Sequence, residues 1–429
     1  MKIKKGEFNM KKYDIIVAGG GISGVAAAIS AARLGKKVLI IEKTNALGGA
    51  ANVNLVNPFM PYCTKIGDEL YELSAGIFKE IVDEMHKMNG FLEKRENVGN
   101  LAFNEETLKI VLNRMLLKAG GEILFHAYLS DVEMEGEKVK SITVATKSGN
   151  LKFEADIFVD ATGDADIAYM AGCPTQHGRE DGLCQPMTLC FRIGNIDTET
   201  YSKVKREINE LYVKLQSEGK IKNPRENVLT FKNTTPGVIH FNTTRIVKHD
   251  PVDVFDLTKA EIEAREQVYE MYDFLRENFE CFKDSVVLST ALNIGIRESR
   301  MIVGEYVLNQ DDLLACRRFE DSIALGNYDI DIHSPDGSGT SHHYFEPGEY
   351  YTIPYRCLLP KKAENLIVAG RCVSATHEAQ ASIRVMPIVC CIGEAAGVAA
   401  AISVEDNVKP IDVDIKKLRS ILEKNGAAI

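Results

Sequence analysis

Apolar positions along the chain fall into two kinds of run. Asp14-Ile15-Ile16-Val17-Ala18 is short, continuous and closed by glycines, the pattern of a strand buried on both faces of a parallel sheet. Ile22 to Leu34, with alanine at 26, 27, 28, 31 and 32, predicts a small-sided helix, and Lys37 to Ile41 a second strand. Helical spacing returns over Asp68 to Asn89, through Leu70, Leu73, Ile77, Ile81, Val82 and Met85, and again over Glu105 to Ala119. A short strand at 122–125 precedes three alternating segments near 128–134, 138–147 and 150–155, a small antiparallel meander turned at Gly136 and Gly149. The segment ADIFVDATGDADIAYMAG then reads as a buried strand running into small residues.

From about 174 to 356 the texture changes. Strand-like pieces (Met187 to Ile193, Val228 to Phe231, Val238 to Val247) alternate with heavily charged helices (Glu199 to Gln216, Thr258 to Cys281), without the β-α-β rhythm of the opening. Ile330 to Tyr351, dense in Gly, Pro, Ser and His, reads as a long lid or site-lining loop. Nucleotide-domain character returns in the strand Asn365 to Arg371 and the helix Pro387 to Ile402, where proline suits the first turn. The expected architecture is α/β. A Rossmann-like domain, built from 1–173 and 357–429 with a central parallel sheet and a small antiparallel meander, carries an inserted α+β cap at 174–356.

Composition narrows the partners. With 45% hydrophobic and 26% charged residues in 429, the chain is an ordinary globular one large enough for two or three domains. A net charge of −10 argues against a nucleic-acid partner. The basic start MKIKKGEFNMKK lacks the apolar run of a signal peptide and no segment is expected to span a membrane, so a cytoplasmic protein is expected. Ten cysteines without C-x-x-C spacing suit a reducing compartment, with Cys390 and Cys391 as small apolar packing residues.

The chemistry concentrates in Tyr13 to Lys43. Gly19, Gly21 and Gly24 have G-x-G-x-x-G spacing: one permits the tight turn, one admits a pyrophosphate to bare backbone, one lets helix and strand approach. The helix N-terminus then faces an anion. Glu42, closing the second strand, suits the hydroxyls of an adenosine ribose and would repel a 2′-phosphate. Gly48-Gly49, in the long loop that follows, would let backbone pass beside the cofactor. Ala161-Thr162-Gly163 either does the same or makes a plain strand-to-helix turn.

GGGISG with Glu42, the LGG loop, the ATGD turn, and NLIVAGR followed by RVMP and GEAAGVAAA together resemble FAD-dependent oxidoreductases of the glutathione-reductase-like superfamily. The likeness is to the bacterial FAD-dependent oxidoreductases, distantly similar to fumarate reductase and succinate dehydrogenase flavoproteins. By that resemblance Gly19, Gly20, Gly21, Gly24, Glu42 and Lys43 hold the ADP half of FAD, and Gly48, Gly49 and the loop to Asn54 pass the ribityl and flavin. Ala161, Thr162 and Gly163 lie at the pyrophosphate or adenosine side, and Gly370 and Arg371 meet the pyrophosphate or ribityl chain, with arginine where glycine-aspartate is commoner. A helix N-terminus at Pro387 to Val389 would stabilise the negative charge of reduced flavin. The loop from Thr44 to Pro61 contains no histidine, so FAD is expected to be non-covalent. No second G-x-G-x-x-G occurs from 174 to 356, which argues against a pyridine-nucleotide disulfide reductase.

A hydride exchanged with flavin N5 requires a clamped substrate and a mobile proton. The candidates are Arg297 and Arg300, Arg356, His377 and Arg384, of which Arg356, His377 and Arg384 are expected to surround a small polar, anionic substrate. Each has a structural alternative: Arg297 and Arg300 flank Glu298 and suit an ion-pair cluster, His377 suits a satisfied loop histidine, and Arg356 suits a domain bridge. His342 and His343 without a third spaced ligand suit an exposed lid better than a metal, and no metal is expected. The competing function is a flavoprotein subunit or scaffold that needs a separate redox or macromolecular partner, and an external electron donor or acceptor fits either reading.

Overall fold

The computed structural model describes residues 11–93 and 99–429, so the first ten residues of the basic start lie outside the described residues. Its centre is a seven-stranded sheet in the order Glu122–Leu124, Val38–Ile41, Lys11–Ala18, Gly149–Asp160, Lys138–Thr146, Tyr128–Glu135, with Leu366–Val368 also paired to Gly149–Asp160. The pairings of Lys11–Ala18, Val38–Ile41, Glu122–Leu124 and Leu366–Val368 are parallel, and the meander is antiparallel. Strand alternation explains two cores. Ile15, Val17, Val38, Ile40, Val159 and Ile367 face the helical side, whereas Ile16, Ala18, Leu39, Ile41, Phe158 and Val368 share a cluster with Val139, Ile142 and Val144 of the meander.

The first helix, Ile22–Arg33, lies against the core helix Met386–Asp406 with no side chains between them at two levels. A Cβ on Gly393 would sit 2.0 Å from Ser23 O, and one on Gly397 2.1 Å from Ala27 O. Contacts ascend together in both sequences, so the helices run parallel, and the core helix starts about two turns ahead of the first, roughly 9 Å at 1.5 Å per residue. Both positive ends therefore point the same way.

The cap is a four-stranded antiparallel sheet, ordered Thr230–Lys232, Ile239–Phe241, Phe191–Gly194, Val286–Thr290. Phe191, Ile193, Ile239 and Phe241 join residues of helices Thr198–Ser217 and Val254–Asn278 in one core, with Phe191 and Phe241 stacked at 4.8 Å. Asp197 and Asp253 cap these helices by accepting from first-turn N–H groups.

Several expectations need correction. The Asp68 to Asn89 helix is a hairpin, Cys63–Ile66 with Glu69–Glu72, followed by a helix only over Ile77–Lys87; Gly67 and Gly76 at φ +63° and +57° break the earlier helical spacing. The third meander segment and the buried strand after it are one strand, Gly149–Asp160, antiparallel at one end and parallel at the other. The cap strands are shorter than expected, and the 330–351 loop contains a hairpin, Ile330–His333 with Thr340–His343. Met386–Asp406 is long and apolar enough to cross a membrane, against expectation, yet 94% of its most apolar window is buried inside the protein. A helix enclosed on all sides is apolar all round.

Candidate functional site

The groove at the end of the parallel strands is built from backbone. Gly19 has φ +101° and its Cβ would lie 2.3 Å from Ala161 O; a Cβ on Gly24 would lie 2.0 Å from Gly19 O. Both positions exclude side chains, and they bring the first strand, the first helix and the Ala161 turn together. Gly21 has nothing within 4 Å of its ideal Cβ, so it opens onto the groove, and the helix it begins has no side-chain cap. Uncapped first-turn N–H groups facing an open floor suit a phosphate.

Glu42 accepts hydrogen bonds from Gly20 N–H and Thr44 N–H, both at 2.7 Å, through different carboxylate oxygens. Each oxygen keeps a lone pair for a ribose hydroxyl. Gly48 donates to Gly20 O at 2.7 Å, and a Cβ on Gly49 would meet Gly21 Cα at 2.8 Å, so this loop runs along the groove. Asn54 farther on donates to Asn293 O and Ile294 O, which ties the loop to the cap. Lys43 is exposed near the Tyr128 ring, and its charge acts on Asp164.

On the opposite wall, buried Asp160 accepts from Thr162 N–H, Thr162 Oγ1 and Ala168 N–H, which fixes the Ala161-Thr162-Gly163 turn. Burial pushes its carboxyl up against those bonds. Arg371, expected on the pyrophosphate or ribityl chain, is instead engaged by protein: it donates to Gly163 O at 2.7 Å, to Ile296 O and to Asp164. Burial works to raise Asp164, but the Arg371 and Lys43 charges hold it below its ordinary value. Arg300 bonds Asp164 O and Asp166 and lies over Tyr169, a structural pairing. A Cβ on Gly370, which has φ +94°, would lie 3.6 Å from Ser23 Oγ, a buried hydroxyl without a partner among the described residues.

The N-terminus of the core helix also lacks a side-chain cap, with Pro387 in its first turn. Val389 is no donor for a ligand, because its N–H already bonds Val385 O at 3.0 Å. Beyond that end lie the reaction candidates. His377 Nδ1 is 2.8 Å from Glu298, which is fully buried and also accepts from Gln185 N–H. Gln380 donates to Arg297 O and pairs with Gln185.

Among the described residues Arg297 donates only to neutral groups, Pro186 O at 2.5 Å and Thr188 Oγ1 at 2.6 Å. Burial pushes its guanidinium down to about 9, helped by the charges of Arg384 and Arg225. Arg384 faces Asp331 at 3.7 Å, and Asp331 pairs with His333 at 3.2 Å. Arg356 is not brought into this cluster. Its side chain is 47% exposed, forks onto Asp321 and lies over Tyr306 on the protein's outer side.

The pattern of the sequence pointed to none of Arg192, Arg225, Arg245, His240, Asp331 and His333. Arg245 donates to Gly337 O, Ser334 O and Gly339 O and to Glu226, so the cap grips the 334–340 turn. The one available signal was the glycine- and histidine-rich lid segment, which delivers Asp331 and His333. Asp329, Asp331 and His342 lie close enough for a metal, but Asp329 already pairs with His342 at 2.6 Å and Arg384 stands beside Asp331.

Among known proteins, the FAD dependent oxidoreductase family matches residues 14–422. The chain is 27% identical over 220 residues to cinnamate reductase of Clostridium sporogenes, covering 48% of this chain and 31% of that one. It is 24% identical over 202 residues to digeranylgeranylglycerophospholipid reductase 2 of Methanothermobacter thermautotrophicus, covering 44% and 49%. The chain thus spans less than half the length of either curated relative. A geranylgeranyl bacteriochlorophyll reductase-like protein from Thermoplasma acidophilum aligns over 97% of this chain and 84% of its own at 13% identity and a TM-score of 0.47.

Proposed function

Because the chain belongs to the FAD dependent oxidoreductase family, we propose that it holds FAD non-covalently and transfers a hydride between flavin N5 and a small anionic metabolite. When bound, FAD supplies a two-electron hydride donor or acceptor. The residues present fit it: bare backbone at Gly21, the uncapped helix behind it, and Glu42 with lone pairs to spare form a cradle that side chains leave open. The second uncapped helix end, roughly 9 Å farther along, favours negative charge at the flavin end. A loop from 44 to 61 without histidine supports non-covalent binding.

One observation carries the substrate class. Arg297 is a half-buried cation whose hydrogen bonds among the described residues go to neutral oxygens, and such a group is stabilised by an incoming anion. Arg384 extends the clamp. His377, held at Nδ1 by Glu298, keeps Nε2 as the nitrogen that can exchange a proton with substrate. Cinnamate, in the name of one relative, is a carboxylate, which agrees with the reading.

The test is anaerobic. The purified yellow protein is screened with carboxylic acids for flavin reduction, and after chemical reduction for reoxidation. Arg297→Ala is expected to keep its flavin and lose about 10–100-fold in kcat/KM, the worth of a charged hydrogen bond. Full turnover in that variant would overturn the assignment.

A further inference from the structure

The cap helix Val254–Asn278 buries Ala260, Ala264, Val268, Met271 and Leu275 in the cap core and turns another line of residues outward. On that line Phe255, Ile262 and Tyr269 recur every seven residues and are 76%, 58% and 56% exposed. Single exposed apolar residues are ordinary, but three in heptad register make the seam of a helix pair. Leu292, 63% exposed, flanks the seam, because its segment is tied to the helix where Ile294 N–H donates to Glu261. The large exposures show that, among the described residues, the seam is left uncovered.

The charges beside the seam are ordered. At about 100° per residue, Lys259 and Glu266 lie on one flank of Ile262, and Glu261 and Arg265 lie on the other. On each flank the sign reverses on passing Ile262. A two-fold axis perpendicular to the helix, passing between Ile262 and Glu263, reverses the helix direction and keeps each flank opposite itself. It sets Lys259 against the partner's Glu266, Glu261 against the partner's Arg265, Phe255 against the partner's Tyr269, and Ile262 against its own copy. Each pair is level to within one residue, about 1.5 Å. Glu266 has no ion pair among the described residues, and Lys259 has only the exposed Asp256 at 3.5 Å, so both are free to engage across the axis. Glu263, near the axis, is turned aside to His249 at 3.3 Å and Gln267 at 3.2 Å, which keeps two like charges apart.

We infer that a second copy of this chain covers the seam: the two cap helices pack antiparallel about that axis, and the protein is a two-fold dimer joined cap to cap. The charge pattern is complementary to itself, whereas a uniformly acidic or basic partner would meet both signs on each flank. A lipid surface fits poorly, because interfacial helices carry Lys and Arg on the polar face and this chain has a net charge of −10 with Glu266 and Asp273 on the outward side. A single helix pair is at the small end of specific interfaces, so the dissociation constant is expected in the micromolar range.

The experiment is sedimentation velocity on the purified full chain across about 1–100 µM, which brackets that range. A monomer–dimer equilibrium is expected. Ile262→Asp, which puts two carboxylates on the axis, should raise Kd about 100-fold or more. Lys259→Glu should raise it about tenfold, and Lys259→Glu combined with Glu266→Lys should return it to within about threefold of the unaltered protein, because the swap restores opposite signs across the axis. Circular dichroism and the thermal midpoint certify the fold of each variant, as all these side chains are exposed. A monomer throughout, a dimer indifferent to Ile262→Asp, or a double swap that stays weak overturns the inference. So does a monomer that floats with phosphatidylcholine–phosphatidylserine vesicles, which would assign the seam to a lipid surface instead.

Discussion

Glu394 is a carboxylate in the middle of the core helix, 1% exposed, and it offers a quantitative test of the packing. One oxygen accepts from Ile77 N–H at 2.9 Å and so caps the helix Ile77–Lys87, whose own Gly76 supplies no side chain; the other oxygen has no partner among the described residues. The charged groups facing it are Glu80 and Arg33, which pair with each other at 2.6 Å. Burial pushes the Glu394 carboxyl up to about 7 from its ordinary 4.5, with Glu80 adding and the Ile77 bond opposing. In the unfolded chain it ionises near 4.5, so between these values the folded state holds a proton that the unfolded state has lost. Its contribution to stability is present below about pH 4.5, declines as pH rises, and is gone above about pH 7. At about 1.4 kcal/mol per pH unit the loss is about 3 kcal/mol. Glu394→Gln keeps the volume and the acceptor for Ile77 N–H but cannot ionise. Urea denaturation followed by circular dichroism from pH 5 to 8.5 should show the variant gaining on the unaltered protein by roughly 2–3 kcal/mol across that range, then running parallel. Parallel curves throughout would mean that Glu394 is not buried as described.

Gly393→Val should separate the two parallel helices, because even its Cβ would lie 2.0 Å from Ser23 O; we expect a loss of at least about 3 kcal/mol, and soluble protein, where obtained, should be colourless. Arg356→Ala should leave turnover unchanged and lower stability by less than about 1 kcal/mol, as for an exposed ion pair; a large fall in kcat would return Arg356 to the reacting site.

Local chemistry made the nucleotide half legible. Gly19, Gly21, Gly24 and Glu42 lie within thirty residues of one another and their spacing is itself the local geometry, while Gly19 also meets the distant Ala161 turn. The strands at 14–18 and 37–41 were likewise legible as short continuous apolar runs. The 68–76 stretch misled because Leu70 and Leu73 match a helical period, whereas Gly67 and Gly76 at positive φ impose a hairpin and a late helix start. The reacting site was harder to see. Arg371 and Arg356 look alike in sequence as lone arginines after strands, and only folding shows that Asp164 and Asp321, far away in the chain, occupy them. Arg192 and His240 belong to segments with no motif, and strand register alone pairs them.

The two glycine contacts between the first helix and the core helix have a consequence for biogenesis. The glycine-rich turn at Gly19 to Gly24 and the helix it opens leave the ribosome some 370 residues before their partners at Gly393 and Gly397. Until then the nascent N-terminal unit lacks the wall that holds its helix in place. Cofactor loading should accordingly be a post-translational event, and chains stalled before residue 386 should accumulate as flavin-free species handled by chaperones.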